Sequence, residues 1–193
     1  MPKVTIHYTI AFLFIRFSGW DTFLNSVSKY CHADVSFYYM FPVIFAFDRV
    51  KGVQVVGVMV LSGWLNLNMK WLIGAERPYW YVKEHGLPDV HQTEITCETG
   101  PGSPSGHLME NYAMFYILAD FITGLPDLKT KLWISRIVWA AFYALIGLLF
   151  VSRTYCSAHF PDQCVLGIIC GKSDGLYSLS LDRYSLYKGS PVY

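Results

Sequence analysis

Three short stretches of this 193-residue chain carry side chains able to handle an anion. The first is Lys70 followed, after six residues, by Arg77-Pro78. The second is Pro104-Ser105-Gly106-His107, and the third is Ser152-Arg153 followed, after five residues, by His159. Taken singly each is weak. A lysine at a helix end usually snorkels to an interface, and a Pro-Ser-Gly run is usually a turn. A histidine beside Phe160 is more often packed than reactive. Taken together they supply three permanent cations and two histidines, a set that suits a phosphoryl group. Guanidinium forks bind phosphate oxygens in pairs, and lysine adds a point charge. Phosphoryl transfer asks mainly for positioning and for neutralisation of transition-state charge. One imidazole can attack phosphorus while the other protonates the leaving oxygen. Gly102 and Gly106 leave room for backbone N–H groups to approach an oxyanion, and the turn leads into a helix N-terminus, which favours anions. No Asp/His spacing offers a metal cage. No metal and no cofactor is expected, because arginine and lysine take that role.

These residues need elements that bring them together. A helix crossing about 30 Å of hydrocarbon needs roughly 17–25 mainly apolar residues. Trp133–Val151 is the clearest candidate, with Arg136 near its start, and Val53–Ile73 is the second, with Lys70 close to its end. Val35–Phe47 is shorter and holds Pro42; Leu108–Thr123 carries Glu110 and Asp120; the run Val165–Cys170 is too short to span alone. Gly74–Gly106 and Gly124–Thr130 read as loops. The expected architecture is therefore an all-α, polytopic membrane bundle of about five helices. In an up-and-down arrangement, Lys70, Arg77, His107, Arg153 and His159 all lie at helix ends facing one side of the bilayer. A channel or transporter would instead place its charges deep within helices.

Composition agrees with the membrane. Hydrophobic residues make up 53% and charged residues 15%, against about 25% charged in soluble domains. A net charge of +1 gives no electrostatic case for nucleic acid. Five cysteines, at 31, 97, 156, 164 and 170, form neither a zinc pattern nor a disulfide framework and read as structural. Met1–Phe17 reads as an interfacial or luminal leader rather than a cleaved signal. From Lys172 onward the sequence turns polar, so the apolar run from Val165 is expected to stop after a turn or two. The domain division expected is a membrane-embedded unit over residues 1–171 and a divergent tail over 172–193.

The Lys-x6-Arg-Pro, Pro-Ser-Gly-His and Ser-Arg-x5-His set resembles the signature of the type 2 phosphatidic acid phosphatase superfamily, which includes vanadium haloperoxidases. Lys70–Trp80, the string Thr96-Cys97-Glu98-Thr99-Gly100-Pro101-Gly102-Ser103-Pro104-Ser105-Gly106-His107, and Ala158-His159-Phe160-Pro161 are similar to glucose-6-phosphatase catalytic subunits. That resemblance implies a multi-pass protein of the endoplasmic reticulum membrane whose active site faces the lumen. It implies hydrolysis of glucose 6-phosphate, with His159 as nucleophile, His107 as acid, and Lys70, Arg77 and Arg153 on the phosphate. Ser105 and Gly106 would add hydrogen bonds in the same pocket. Implied partners are a sugar phosphate, the bilayer and a sugar-phosphate transporter in the same membrane. Arg49, Lys51, Lys129 and Lys131 on one side, and Glu84, Asp89, Glu94 and Glu98 on the other, are compatible with that orientation.

Two departures stand out. The wider superfamily has Asp four residues after the nucleophile, where it would hold the imidazole tautomer; here that position is Gln163, leaving the partner of His159 unassigned. The family also implies about nine helices, of which this chain would hold five. A lipid phosphate phosphatase is the alternative enzyme, disfavoured by the Thr96–Gly106 string. A shortened chain without catalysis is the alternative from another class. Tyr79, Trp80 and Tyr81 could stack on a hexose, but an interfacial aromatic belt is the simpler reading.

Overall fold

A computed structural model describes residues 19–90, 92–93, 98–126 and 131–187, without the side chains of Ser36 and of residues 182–187. The expected leader, Met1–Phe17, lies outside the described residues. So do Glu94, Lys129 and Cys97. Described residues fold into seven helices and no strand: α1 Asp21–Tyr30, α2 Ala33–Phe47, α3 Arg49–Ile73, α4 Pro78–Glu84, α5 Gly106–Gly124, α6 Leu132–Tyr155 and α7 Pro161–Tyr187.

Helix α3 begins and ends for a readable reason. Asp48 caps α3 by accepting from the N–H groups of Val50 (2.9 Å) and Lys51 (3.1 Å), which starts the helix four residues before the apolar run predicted. Gly74 ends it in the left-handed conformation (φ 60°), where a side chain would be strained, and this fixes Lys70 in the last turn. Arg77 is extended (φ −92°, ψ 157°), as a residue before proline must be, and Pro78 opens α4 at its first position. The reading of Gly74–Gly106 as all loop is therefore corrected. Tyr81 and Val82 bury themselves, and Tyr81 meets Phe160 edge-on at 6.1 Å, so the short helix has an anchor.

One of the segments with a weak span signal, Leu108–Thr123, proves central. In α5, Leu108, Met109, Ala113, Met114, Ile117 and Ala119 are buried together with His107 and Asn111, because α2, α3, α6 and α7 surround it. Of its two acids, Asp120 pairs with Lys51 at 3.5 Å, at the bundle end away from His107. Stretches within Arg49–Glu84 and Leu132–Tyr155 are long and apolar enough to cross a bilayer. Their outward surface carries Val60, Trp64, Leu67, Trp71, Leu72, Trp133 and Ile137.

The largest difference from expectation is α7, which continues without a break to Tyr187. The physical reason is a stripe of small residues at a spacing of four. A Cβ on Gly167 would lie 2.7 Å from the Ser105 carbonyl oxygen, one on Gly171 would collide with the Met109 backbone, and one on Gly175 would lie 3.1 Å from the Tyr116 ring. Leu179, one turn further, is also buried. Among apolar lipids, close backbone approach of this kind replaces the hydrophobic drive that packs helices in water. Gly175 and Leu179 extend the α5-facing stripe past residue 171, and polarity alone hid it.

Candidate active site

The helix ends converge as the up-and-down arrangement requires: the starts of α2, α5 and α7 meet the ends of α3 and α6. There the chain gathers two fully buried guanidinium groups, two buried imidazoles and one carboxylate. Arg77 donates from Nε to the Gly100 carbonyl (2.8 Å), from Nη1 to the Ala158 carbonyl (3.1 Å) and from Nη2 to the Pro101 carbonyl (3.4 Å). Its Nη1 also donates to Glu98 Oε2 at 3.1 Å. Arg153 donates from Nη1 to Ser28 Oγ at 2.6 Å and from Nη2 to Glu98 Oε1. Lys70, in the last turn of α3, is half-buried and within electrostatic reach of Arg77, Glu98 and Arg153.

The imidazoles flank the same carboxylate. His159 Nε2 lies 3.6 Å from Oε2, and His107 Nδ1 lies 3.5 Å from Oε1. On its other side His159 places Nδ1 2.7 Å from the Gly102 carbonyl. A carbonyl only accepts, so Nδ1 carries the hydrogen and the neutral ring bears its lone pair on Nε2. That atom is buried without a hydrogen-bond partner among the described residues, as is Nε2 of His107. Burial, the largest influence, draws the His159 pKa down to about 4, with Arg153 and Arg77 acting the same way and Glu98 against. His159 is neutral at pH 7. For Glu98, burial would raise the pKa, but the charge of Arg153 beside it outweighs burial and holds the carboxyl well below the usual carboxylate range.

The unassigned partner of His159 is thus a main-chain carbonyl, and Gln163 is what fixes that carbonyl's loop. Gln163 donates from Nε2 to the Glu76 carbonyl (2.8 Å), accepts at Oε1 from the Phe160 N–H (3.1 Å), and its own carbonyl accepts from the Ser105 N–H (3.1 Å). One side chain and its backbone join all three motifs. The close fit requires glycine at 102, where a Cβ would lie 2.8 Å from the Gln163 amide.

The expectation of a backbone donor at Gly102 changes. The Gly102 N–H is already committed to the Ala75 carbonyl at 2.7 Å, and the Ser105 N–H to Gln163. What remains is the start of α5, where no side chain caps the first turn and Ser105 Oγ is buried without a partner among the described residues. Gly106 packs there against Asn66, whose Oδ1 would lie 3.1 Å from an added Cβ, and Asn66 donates to the Pro104 carbonyl (3.2 Å).

Sequence reasoning missed α1 altogether. Ser28 holds Arg153, and Ser152 Oγ, Tyr155 Oη and Cys156 Sγ reach back to the Leu24 carbonyl (2.7 Å), Asp21 (2.5 Å) and Asn25 (3.2 Å). A serine on a polar ten-residue helix carries no signal of that role. Sequence places Glu98 in the Thr96–His107 string and among the loop acids, but marks no role for it in the site. Tyr79 has a role other than the aromatic belt, since its hydroxyl donates to the Glu98 carbonyl at 2.9 Å.

Comparisons with known proteins give the family and the fold. Among curated proteins the chain is 33% identical to glucose-6-phosphatase catalytic subunit 1 of Haplochromis nubilus, over 91% of this chain and 55% of the relative. It is 34% identical to glucose-6-phosphatase 2 of Homo sapiens, over 87% of this chain and 53% of that one. The chain spans about half the length of the curated relatives it matches. Among solved structures, the PAP2-type phosphatidylglycerolphosphate phosphatase of Bacillus subtilis superposes with a TM-score of 0.76 at 18% identity, covering 93% of this chain and 84% of that one. LpxE of Aquifex aeolicus gives 0.65 at 20%, covering 84% and 87%. The molecule is a multi-pass membrane protein with the fold of these enzymes. The model of the PAP2 superfamily spans residues 51–182, from the first turn of α3 to deep within α7; that stretch contains every motif residue at the convergence of helix ends, and the chain belongs to the PAP2 superfamily.

Proposed function

We propose that the chain hydrolyses glucose 6-phosphate to glucose and phosphate through a phosphohistidine on His159. The observation that carries this reading is the flanking of one anion by two imidazoles while two guanidinium groups clamp it. His159 Nε2, with its lone pair free, attacks phosphorus. The ester P–O bond breaks, and the sugar oxygen takes a proton from His107. Water then attacks phosphorus, giving its proton to His107, and the P–N bond breaks with its electron pair returning to Nε2. Arg77 and Arg153 bind non-bridging oxygens with Lys70 adding charge, and the uncapped start of α5 with Ser105 Oγ and Gly106 supplies neutral donors.

The likeness to two glucose-6-phosphatases supports the sugar substrate; the reading extends to a location in the endoplasmic reticulum membrane with the site facing the lumen, and to supply of substrate by a sugar-phosphate transporter. Phosphate release from glucose 6-phosphate, measured in microsomes carrying the chain with vanadate as competitor, tests the reading. His159→Ala should reduce release to background, a loss of at least about a thousandfold. Undiminished turnover by that variant ends the mechanism. Release from phosphatidic acid in detergent, but not from glucose 6-phosphate, would move the substrate to lipids.

A further inference from the structure

Glu98 is bound the way a ligand is bound. Its two oxygens take one guanidinium each, and each also faces one imidazole. Two guanidinium groups and two imidazoles face one carboxylate of their own chain, with Lys70 within electrostatic reach, in the place where a phosphoryl group would receive the same contacts. The carboxylate cannot stay when phosphate arrives. His159 Nε2, the lone pair that must reach phosphorus, looks directly at Glu98 Oε2, and both arginine forks would have to share their donors with two adjoining anions. Nor is the side chain sealed in. A quarter of it remains exposed, whereas Arg77, Arg153 and His159 are not exposed at all. Its main chain is tethered separately, by the Tyr79 hydroxyl, so rotation about the side-chain bonds empties the pocket without moving the loop.

We propose that Glu98 is a displaceable stand-in for phosphate, which fills the cationic pocket between turnovers and expels inorganic phosphate after hydrolysis. The inference rests on the reading of the pocket as a phosphate site, not on the identity of the sugar. A pocket of two buried arginines and a lysine with no resident anion would hold product phosphate tightly and carry uncompensated charge whenever empty. An occupant present 99% of the time would weaken apparent anion affinity by about a hundredfold. It does so for substrate and product alike, raising KM while leaving the bonds of the transition state intact.

Glu98→Gln in the full chain, purified in detergent, tests this with inorganic phosphate and vanadate as the probes. The neutral isostere should bind both at least about tenfold more tightly, lower KM for glucose 6-phosphate by a similar factor, and not raise kcat, because phosphate then leaves slowly. Without phosphate the variant should melt below the unaltered chain, and added phosphate should restore it. If Glu98 only holds the arginines in place, the inhibition constant and KM rise instead, and the proposal is overturned. It is overturned equally if Glu98→Gln fails to fold even in phosphate. Hydrolysis of glucose 6-phosphate by the unaltered chain is scored separately. Its absence removes the sugar substrate, while protection from melting by phosphate still decides the role of Glu98.

Discussion

Arg77 and Arg153 grip opposite oxygens of one carboxylate, yet they are held by unlike means. Arg77 donates to three main-chain carbonyls, from Gly100, Pro101 and Ala158, and these belong to loops that Gln163 and Gly102 lock together. Arg153 has one hydroxyl, that of Ser28, and its Nε is buried without a hydrogen-bond partner among the described residues. Remove Glu98 and Arg77 keeps its three carbonyls, whereas Arg153 keeps only Ser28. One side of the pocket is a fixed wall built by backbone; the other depends on whichever anion is present. That division suits a site whose occupant changes during each cycle, since only one arginine must readjust.

The contrast is open to direct attack through Arg77→Lys and Arg153→Lys, which keep the charge and remove the fork. Lysine at 77 cannot serve three carbonyls and a phosphate oxygen together, so carbonyls lose donors and the wall loosens. A loss of one preorganised donor to a transition state costs about a hundred- to a thousandfold, and Arg77→Lys should fall in that range for kcat/KM. Arg153→Lys, which replaces two hydrogen bonds with a mobile point charge, should lose about tenfold less. Equal losses, or the reverse order, would remove the distinction between the two sides.

A smaller effect concerns pH. His159 has its pKa drawn down to about 4 by burial, so the acid limb of kcat/KM that reports its protonation should lie near pH 4 rather than near the ordinary histidine value of about 6.5. Glu98 opposes that shift, and in Glu98→Gln the limb should move further to acid. Comparing the two profiles cancels the titration of the substrate itself. A limb that moves toward neutrality in the variant would show that Glu98 does not hold the His159 pKa up. Stability follows the same sign. A histidine with a lowered folded pKa binds fewer protons than in the unfolded chain, so its contribution is complete above about pH 6.5 and is lost as pH falls toward 4. Glu98, also lowered, loses its contribution as pH falls below the ordinary carboxylate range. Acidification therefore weakens the fold through both groups.

Much of this site can be read from sequence because its parts lie at helix ends, and helix ends are marked by residues with strict backbone needs. Gly74 and Pro78 bracket Arg77, and the run from Gly102 to His107 announces a tight turn into a helix. The long apolar runs of α3 and α6 are equally plain. What sequence hides are contacts that use ordinary side chains at long range. Ser28 reaches Arg153 across 125 positions, and nothing in a polar helix distinguishes that serine from its neighbours. Gln163 read only as a missing aspartate, because its value lies in the three backbone groups it joins. The continuation of α7 is masked by Lys172 and Ser173, while the operative signal is the glycine spacing at 167, 171 and 175, a packing pattern rather than a hydropathy pattern.

Ser28→Ala is the mildest cut on the adjustable side. Ser28 is buried and its hydroxyl meets Nη1 of Arg153 at 2.6 Å; a hydrogen bond to a charged group is worth about 1.5–3 kcal/mol, which corresponds to roughly ten- to a hundredfold in kcat/KM if all of it is used in the transition state. Because the anion supplies a second hold on Arg153, the observed loss should sit near the lower end. Ser28→Thr, which keeps the hydroxyl, should recover most of it. The informative measurement is the double variant with Glu98→Gln. If Arg153 relies on Ser28 and Glu98 together, phosphate-free stability should fall by more than the sum of the two single losses, since the guanidinium then has no partner left, and added phosphate should restore the excess. Strict additivity would place Ser28 and Glu98 in separate networks, and Arg153 would then be as firmly fixed as Arg77.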